Sequence, residues 1–171
     1  MCGITGVFGH ANRQPLTDMV KAMVASLIHR GPDDEGVWVD SDTSIAFGHR
    51  RLSILDLSQK GHQPMLSDDS RYVIVFNGEV YNHQALRNEL ESKGVSHWNG
   101  HSDTEVILAT ISTWGIEHAV SKFIGMFAIA VWDRSENKLH LARDRIGEKP
   151  LYYGWCSNTF VFGSELKALK K

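Results

Sequence analysis

A cysteine directly behind the initiating methionine, Met1-Cys2-Gly3-Ile4, can place nucleophile and base on one residue. Methionine ahead of so small a residue is commonly trimmed, and trimming would leave Cys2 with a thiol and a free α-amine. The amine has a reference pKa of about 7.7–8.0 and the thiol about 8.5, so near neutrality unprotonated amine is present to take the thiol proton. An N-terminal amine is a known substitute for the histidine that other enzymes bring to a nucleophile. The competing reading of Cys2 is a small buried residue in a first strand. A retained Met1 would turn the base into a peptide nitrogen and silence the chemistry.

A thiolate that attacks an amide carbonyl needs donors fixed in advance for the oxyanion, and Asn77-Gly78 offers a side-chain amide beside a glycine N–H. The same dipeptide between apolar runs is equally the mark of a hairpin turn. Arg51, in Gly48-His49-Arg50-Arg51, carries the fork that matches a carboxylate, and by chemistry alone Arg50 would serve as well. Glu79 and Asp103 stand at element junctions from which they could accept hydrogen bonds from an ammonium group, although a helix-capping role competes for the segment of Asp103. A nucleophile, an oxyanion pair, a cation for a carboxylate and two anions for an ammonium together describe a site for an α-amino acid with a side-chain amide. Glutamine is the natural candidate.

These residues need a scaffold. Residues 4–8 are short and apolar and predict a buried strand with Cys2 at its N-terminal end. Leu16, Met19, Val20, Met23, Val24 and Leu27 recur at helical spacing, and Gly31-Pro32 stops that helix near His29. Val37 and Val39, residues 45–49 and residues 72–76 read as strands, the last ending at Asn77-Gly78. Two helices are expected next, over 83–93 and from the capping box Ser102-Asp103-Thr104-Glu105 onward. After a short segment around 120–123, strands are expected at 126–132, 139–142, 151–154 and 160–163, with a closing helix over 165–171. Strands grouped at both ends around central helices suit an α+β fold of stacked antiparallel sheets covered by helices better than alternating βαβ units.

With 171 residues the chain suits one sizeable core, read as a single domain over 1–171. A net charge of −2 gives no electrostatic reason to bind nucleic acid or an anionic membrane. No apolar run approaches the roughly eighteen residues of a membrane span, and the N-terminus lacks the regions of a signal peptide, so a cytoplasmic protein is expected. Cys2 and Cys156, the only two cysteines, suggest neither a disulfide framework nor a zinc site, and no metal site is expected from the nine scattered histidines.

Several runs carry a family resemblance: Met-Cys-Gly-Ile, His29-Arg30-Gly31-Pro32-Asp33, Gly48 to Asp56, Phe76-Asn77-Gly78-Glu79-Val80-Tyr81-Asn82, Ser102-Asp103-Thr104-Glu105, and Ala142 to Tyr153. In this order, and over essentially the whole chain, they resemble the glutaminase domain of glutamine-hydrolysing asparagine synthetases. Those are class II glutamine amidotransferases of the N-terminal-nucleophile hydrolase type. The resemblance implies a four-layer αββα sandwich of two antiparallel sheets. It places the catalytic cysteine on Cys2, the oxyanion pair on Asn77 and Gly78, and the substrate-carboxylate arginine on Arg51 rather than Arg50. Glu79 and Asp103 match the positions that hold the substrate amino group, with Ile54 and Leu55 lining the pocket. Arg30 and Asp33 match a supporting segment.

The resemblance further implies hydrolysis of L-glutamine to glutamate and ammonia through a γ-glutamyl thioester, with no cofactor. Family members continue into an ATP-pyrophosphatase synthetase domain bearing an S-G-G-x-D-S loop, which this sequence lacks, so the chain is expected to be an excised or truncated domain. ATP and Mg are expected only in that domain, as is the choice of ammonia acceptor. The rival readings are the glutaminase half of another class II enzyme, against which the Arg-Leu-Ser-Ile and Arg-Asp-Arg-Ile-Gly-Glu-Lys-Pro runs argue, and an idle interaction module that keeps the fold.

Overall fold

The computed structural model describes residues 1–9, 16–53 and 59–171. Ile54 and Leu55 therefore lie outside the described residues. Five strands form one antiparallel sheet in the order β2-β3-β1-β9-β8: β1 (Gly3–Phe8), β2 (Asp34–Asp40), β3 (Ile45–Arg51), β8 (Tyr152–Cys156) and β9 (Thr159–Gly163). Four more form a second antiparallel sheet in the order β4-β5-β6-β7: β4 (Met65–Leu66), β5 (Tyr72–Val80), β6 (Gly125–Asp133) and β7 (Lys138–Arg143).

Side-chain alternation along each strand builds the layers. On β3, Ile45 and Phe47 point between the sheets and pack with Val73, Val75, Ala128, Ala130 and Trp132 of the second sheet. Ala46 points the other way, onto Val20, Met23, Val24 and Leu27 around helix α1 (Leu16–Ser26). On the far side, Ile74 and Phe76 of β5 and Phe127, Ile129 and Val131 of β6 bury the apolar faces of α2 (His83–Ser92), α3 (Asp103–Trp114) and α4 (Ile116–Lys122). Helix, sheet, sheet and helix layers follow in that order, the expected four-layer α+β sandwich.

Three local expectations change. Asn77-Gly78 is no hairpin turn: β5 runs through both residues to Val80, with Asn77 opposite Ala128 and Gly78 opposite Phe127 of β6. A Cβ at Gly78 would collide with the Met126 carbonyl, so here the glycine serves close sheet packing. The segment around 120–123 is the end of a real helix, α4, which starts at Ile116 directly after Gly115 closes α3. The closing helix over 165–171 is instead a chain of turns held by i to i+3 bonds such as Ala168 N–H to the Glu165 carbonyl.

Candidate active site

One end of the space between the sheets opens into a cavity of about 130 Å³, smaller than the roughly 300–1,000 Å³ that hold drug-sized ligands. Cys2, Arg51, Asn77, Gly78, Glu79 and Asp103 all line it, although they come from four separate parts of the chain. Cys2 sits just before β1, Arg51 ends β3, residues 77–79 lie in β5 and Asp103 opens α3.

Register brings the thiol to the end of β3, because Gly3 lies opposite Arg50 across the β1–β3 ladder. Its hydrogen bonds among the described residues go to backbone: the Leu52 N–H donates to Sγ at 3.3 Å, and the thiol faces the Leu52 carbonyl at 3.6 Å. Burial pushes the Cys2 pKa up, more than the Leu52 bond pulls it down. Such a thiol stays protonated at neutral pH and needs a base to become a nucleophile. Arg30 Nε donates to the Cys2 carbonyl at 2.9 Å, while its Nη1 reaches Glu165 at 3.1 Å, so the cysteine backbone is tied to the C-terminal turns. Met1 also lines the cavity, with its sulfur 3.2 Å from Lys149 Nζ.

Asn77 is 1% exposed, and its Nδ2 has no hydrogen-bond partner among the described residues. An amide donor buried without a partner is costly, and such groups cluster where a ligand completes the bonding. The two arginines separate as strand alternation requires. Arg50 turns to the α1 side, donating to the Val24 carbonyl at 3.4 Å and pairing with Glu35 at 2.7 Å. Arg51 turns to the cavity, where its guanidinium packs against Gly61, a position at which a Cβ would strike Nη2.

Ser102 takes the helix cap, accepting the Glu105 N–H at 3.3 Å, and this frees Asp103 for another contact. Its Oδ2 accepts the Val80 N–H at 3.2 Å, while burial pushes its pKa up and that bond pulls the other way. The Glu105 carboxylate accepts the N–H groups of Asn99 and Gly100, the residues just ahead of the cap.

Gln63, Thr104 and Lys149 also line the cavity, and no periodicity in the sequence singles them out. Gln63 Oε1 accepts the Phe76 N–H at 2.7 Å, and its Nε2 donates to Thr104 Oγ1 at 3.2 Å, joining β5 to α3. Lys149 is brought inward by its turn, in which Asp144 accepts the N–H groups of Phe127, Glu148 and Lys149. Buried Asp144 would be pushed up in pKa, but these backbone donors together hold it below its ordinary value.

Known proteins resemble the chain over its whole length. A family described as the glutamine amidotransferase domain matches residues 1–171. The chain is 45% identical to the glutamine-hydrolyzing asparagine synthetase 1 of Bacillus subtilis (strain 168), over 99% of this chain and 26% of that protein. It is 39% identical to a putative glutamine-hydrolyzing asparagine synthetase 2 of Methanocaldococcus jannaschii, over 99% of this chain and 35% of the relative. The chain thus spans about a quarter to a third of the length of these curated relatives. Among solved structures, a glutamine phosphoribosylpyrophosphate amidotransferase from B. subtilis superposes with a TM-score of 0.84 over 99% of this chain and 43% of that one; at 23% identity it speaks to the fold alone. The match over the whole length, with sequence relatives of this kind, places the chain in the glutamine amidotransferase domain family.

Proposed function

We propose that the domain hydrolyses L-glutamine with Cys2 as nucleophile and the α-amine of Cys2 as base, once Met1 is removed. The observation that carries this reading is the convergence on one small cavity of the thiol, the Asn77 Nδ2 that has no partner among the described residues, the Arg51 guanidinium and two carboxylates. Arg51 takes the substrate α-carboxylate, and Glu79 and Asp103 take its ammonium. The side-chain carbonyl then lies toward Asn77 Nδ2 and the Gly78 N–H. The amine accepts the thiol proton as Sγ bonds to the amide carbon, and the negative oxygen settles on the two donors. The same amine passes its proton to the departing nitrogen, ammonia leaves, and a γ-glutamyl thioester remains. Water attacks the thioester, glutamate departs and the thiol is restored.

Because the relatives named above are glutamine-hydrolyzing asparagine synthetases, the ammonia is assigned to a synthetase domain, where the family resemblance expects ATP and Mg. The hydrolytic step itself uses no cofactor. No helix among the described residues is long and apolar enough to cross a membrane, and a cytoplasmic setting is proposed with the function.

Acid quenching during turnover with glutamine, followed by intact and peptide mass measurement, tests the mechanism. A γ-glutamyl adduct is expected on Cys2 of molecules lacking Met1. An adduct on exposed Cys156, or on molecules that keep Met1, would contradict the assignment.

The opposed faces of the two arginines give a second expectation. A charge-assisted hydrogen bond is worth about 1.5–3 kcal/mol, and lysine cannot reproduce the guanidinium fork. Arg51→Lys should therefore raise the KM for glutamine by at least about tenfold, one factor of ten corresponding to about 1.4 kcal/mol. Arg50→Lys should stay near wild type in KM, because its partners are Glu35 and the Val24 carbonyl. Steady-state kinetics of both variants decides between them; equal effects would remove Arg51 from the substrate site.

A further inference from the structure

β4 is only two residues long, and its pairing with β5 ends at Ile74. Beyond that point the outer edge of β5 has no neighbouring strand among the described residues, yet this is where β5 delivers Asn77 and Gly78 to the cavity. Extending the β4–β5 register by two residues would set residue 63 opposite residue 76. The strand does not continue there; side chains take over instead. Gln63 Oε1 accepts the Phe76 N–H at 2.7 Å. The Phe76 carbonyl, which belongs to the same peptide unit as the Asn77 nitrogen, is bonded by His49 Nε2 at 3.2 Å.

His49 follows Ile45 and Phe47 on the inward face of β3, so its ring crosses from one sheet to the other. It is 1% exposed, and its Nδ1 has no hydrogen-bond partner among the described residues. A carbonyl can only accept, so Nε2 must carry the hydrogen. The groups that act on the ring electrostatically are Asp34, His62 and Arg51; Asp34 is itself paired with His62 at 2.7 Å. Burial outweighs the bond to Phe76 and holds the His49 pKa down to about 3, which keeps the ring neutral over the working range. A neutral histidine buried against a main-chain carbonyl, with no hydrogen bond to the thiol among the described residues, is no general base here.

We propose that His49 is a positioning residue for glutamine hydrolysis: its Nε2–H anchors the Phe76–Asn77 peptide across the gap between the sheets and so aims the Asn77 amide at the oxyanion. This rests on the reading of Asn77 as an oxyanion donor. Without the anchor the outer edge of β5 at Phe76 keeps only the Gln63 bond among the described residues, beside the β6 ladder on its other edge, and the donor shifts while the substrate clamps on Arg51 and Asp103 stay in place.

The test is a cycle of His49→Leu and His49→Gln, each made in the wild-type and Asn77→Ala backgrounds, with kcat and KM for glutamine and thermal midpoints measured on all. A misplacement of about 1 Å can cost about 100-fold, so His49→Leu should lower kcat by about 10- to 100-fold and leave KM within about twofold. Glutamine presents an N–H close to the Nε2 position, so His49→Gln should recover kcat to within about threefold of wild type. If His49 acts through Asn77, adding His49→Leu to Asn77→Ala should lower kcat by no more than about threefold further, the non-additivity expected of coupled residues.

Equal fold losses in both backgrounds would overturn the proposal, as would a His49→Leu enzyme of near wild-type kcat beside a crippled Asn77→Ala. If Asn77→Ala is itself undamaged, the oxyanion reading has failed and the proposal falls with it. Should His49→Leu not fold, ¹⁵N NMR of the wild-type protein still decides. A neutral ring protonated at Nε2 supports the anchor, and one protonated at Nδ1 has no hydrogen to give Phe76 and refutes it.

Discussion

Cys2→Ala is expected to abolish release of ammonia from glutamine and covalent labelling by a glutamine-mimicking diazoketone. The hydroxyls that line the cavity, Ser102 Oγ and Thr104 Oγ1, act as acceptors, from the Glu105 N–H and from Gln63 Nε2, and neither is bonded to a base among the described residues. Cys2 keeps some exposure, and its thiol bonds only the Leu52 backbone among the described residues. The variant should therefore keep its thermal midpoint while losing turnover. Because burial holds the thiol protonated, activity should also track the fraction of molecules that have lost Met1, read by intact mass. Undiminished turnover in a preparation with Met1 fully retained would exclude the amine as base. Cys156, exposed in the β8–β9 hairpin, is the internal control, and its alanine variant should label as wild type does.

Asn77→Ala should carry the next largest loss. Removal of one oxyanion donor costs about 100- to 1,000-fold in kcat, and this residue supplies one of the two donors proposed here. Stability should change little. The backbone of Asn77 is held in the β5–β6 ladder, and its Nδ2 makes no bond among the described residues that truncation would break. Catalytic loss and structural loss are thus separable in one variant: kcat from single-turnover formation of the thioester, and folding from the thermal midpoint. Turnover near wild type, or a rate loss accounted for entirely by the unfolded fraction, would remove Asn77 from the mechanism.

The strongest local patterns were legible in the chain alone. The strand behind Cys2, the α1 periodicity, the Ser102 cap and the strands after residue 125 all follow from spacing that neighbouring residues impose on one another, and the stacking of two sheets follows from their grouping. The candidate residues were legible because their types match one substrate and their motifs occur together in order. Only the tertiary structure decided the rest. Whether Asn77-Gly78 turns or continues depends on β6, whose Ala128 and Phe127 pair with it from about fifty residues away. Helix α4 and the closing turns are short, and segments of that length take their form from packing rather than from propensity. Arg50 and Arg51 are chemically equal in sequence; the burial of one face of β3 against α1 and the other against β5 made one a structural ion pair and the other a cavity wall. The strand period puts His49 on the inward face but says nothing of its partner, and Gln63 and Thr104 carry no periodic mark, because their roles arise where β5 runs past the end of its short neighbour and its backbone must find partners from elements distant in the chain.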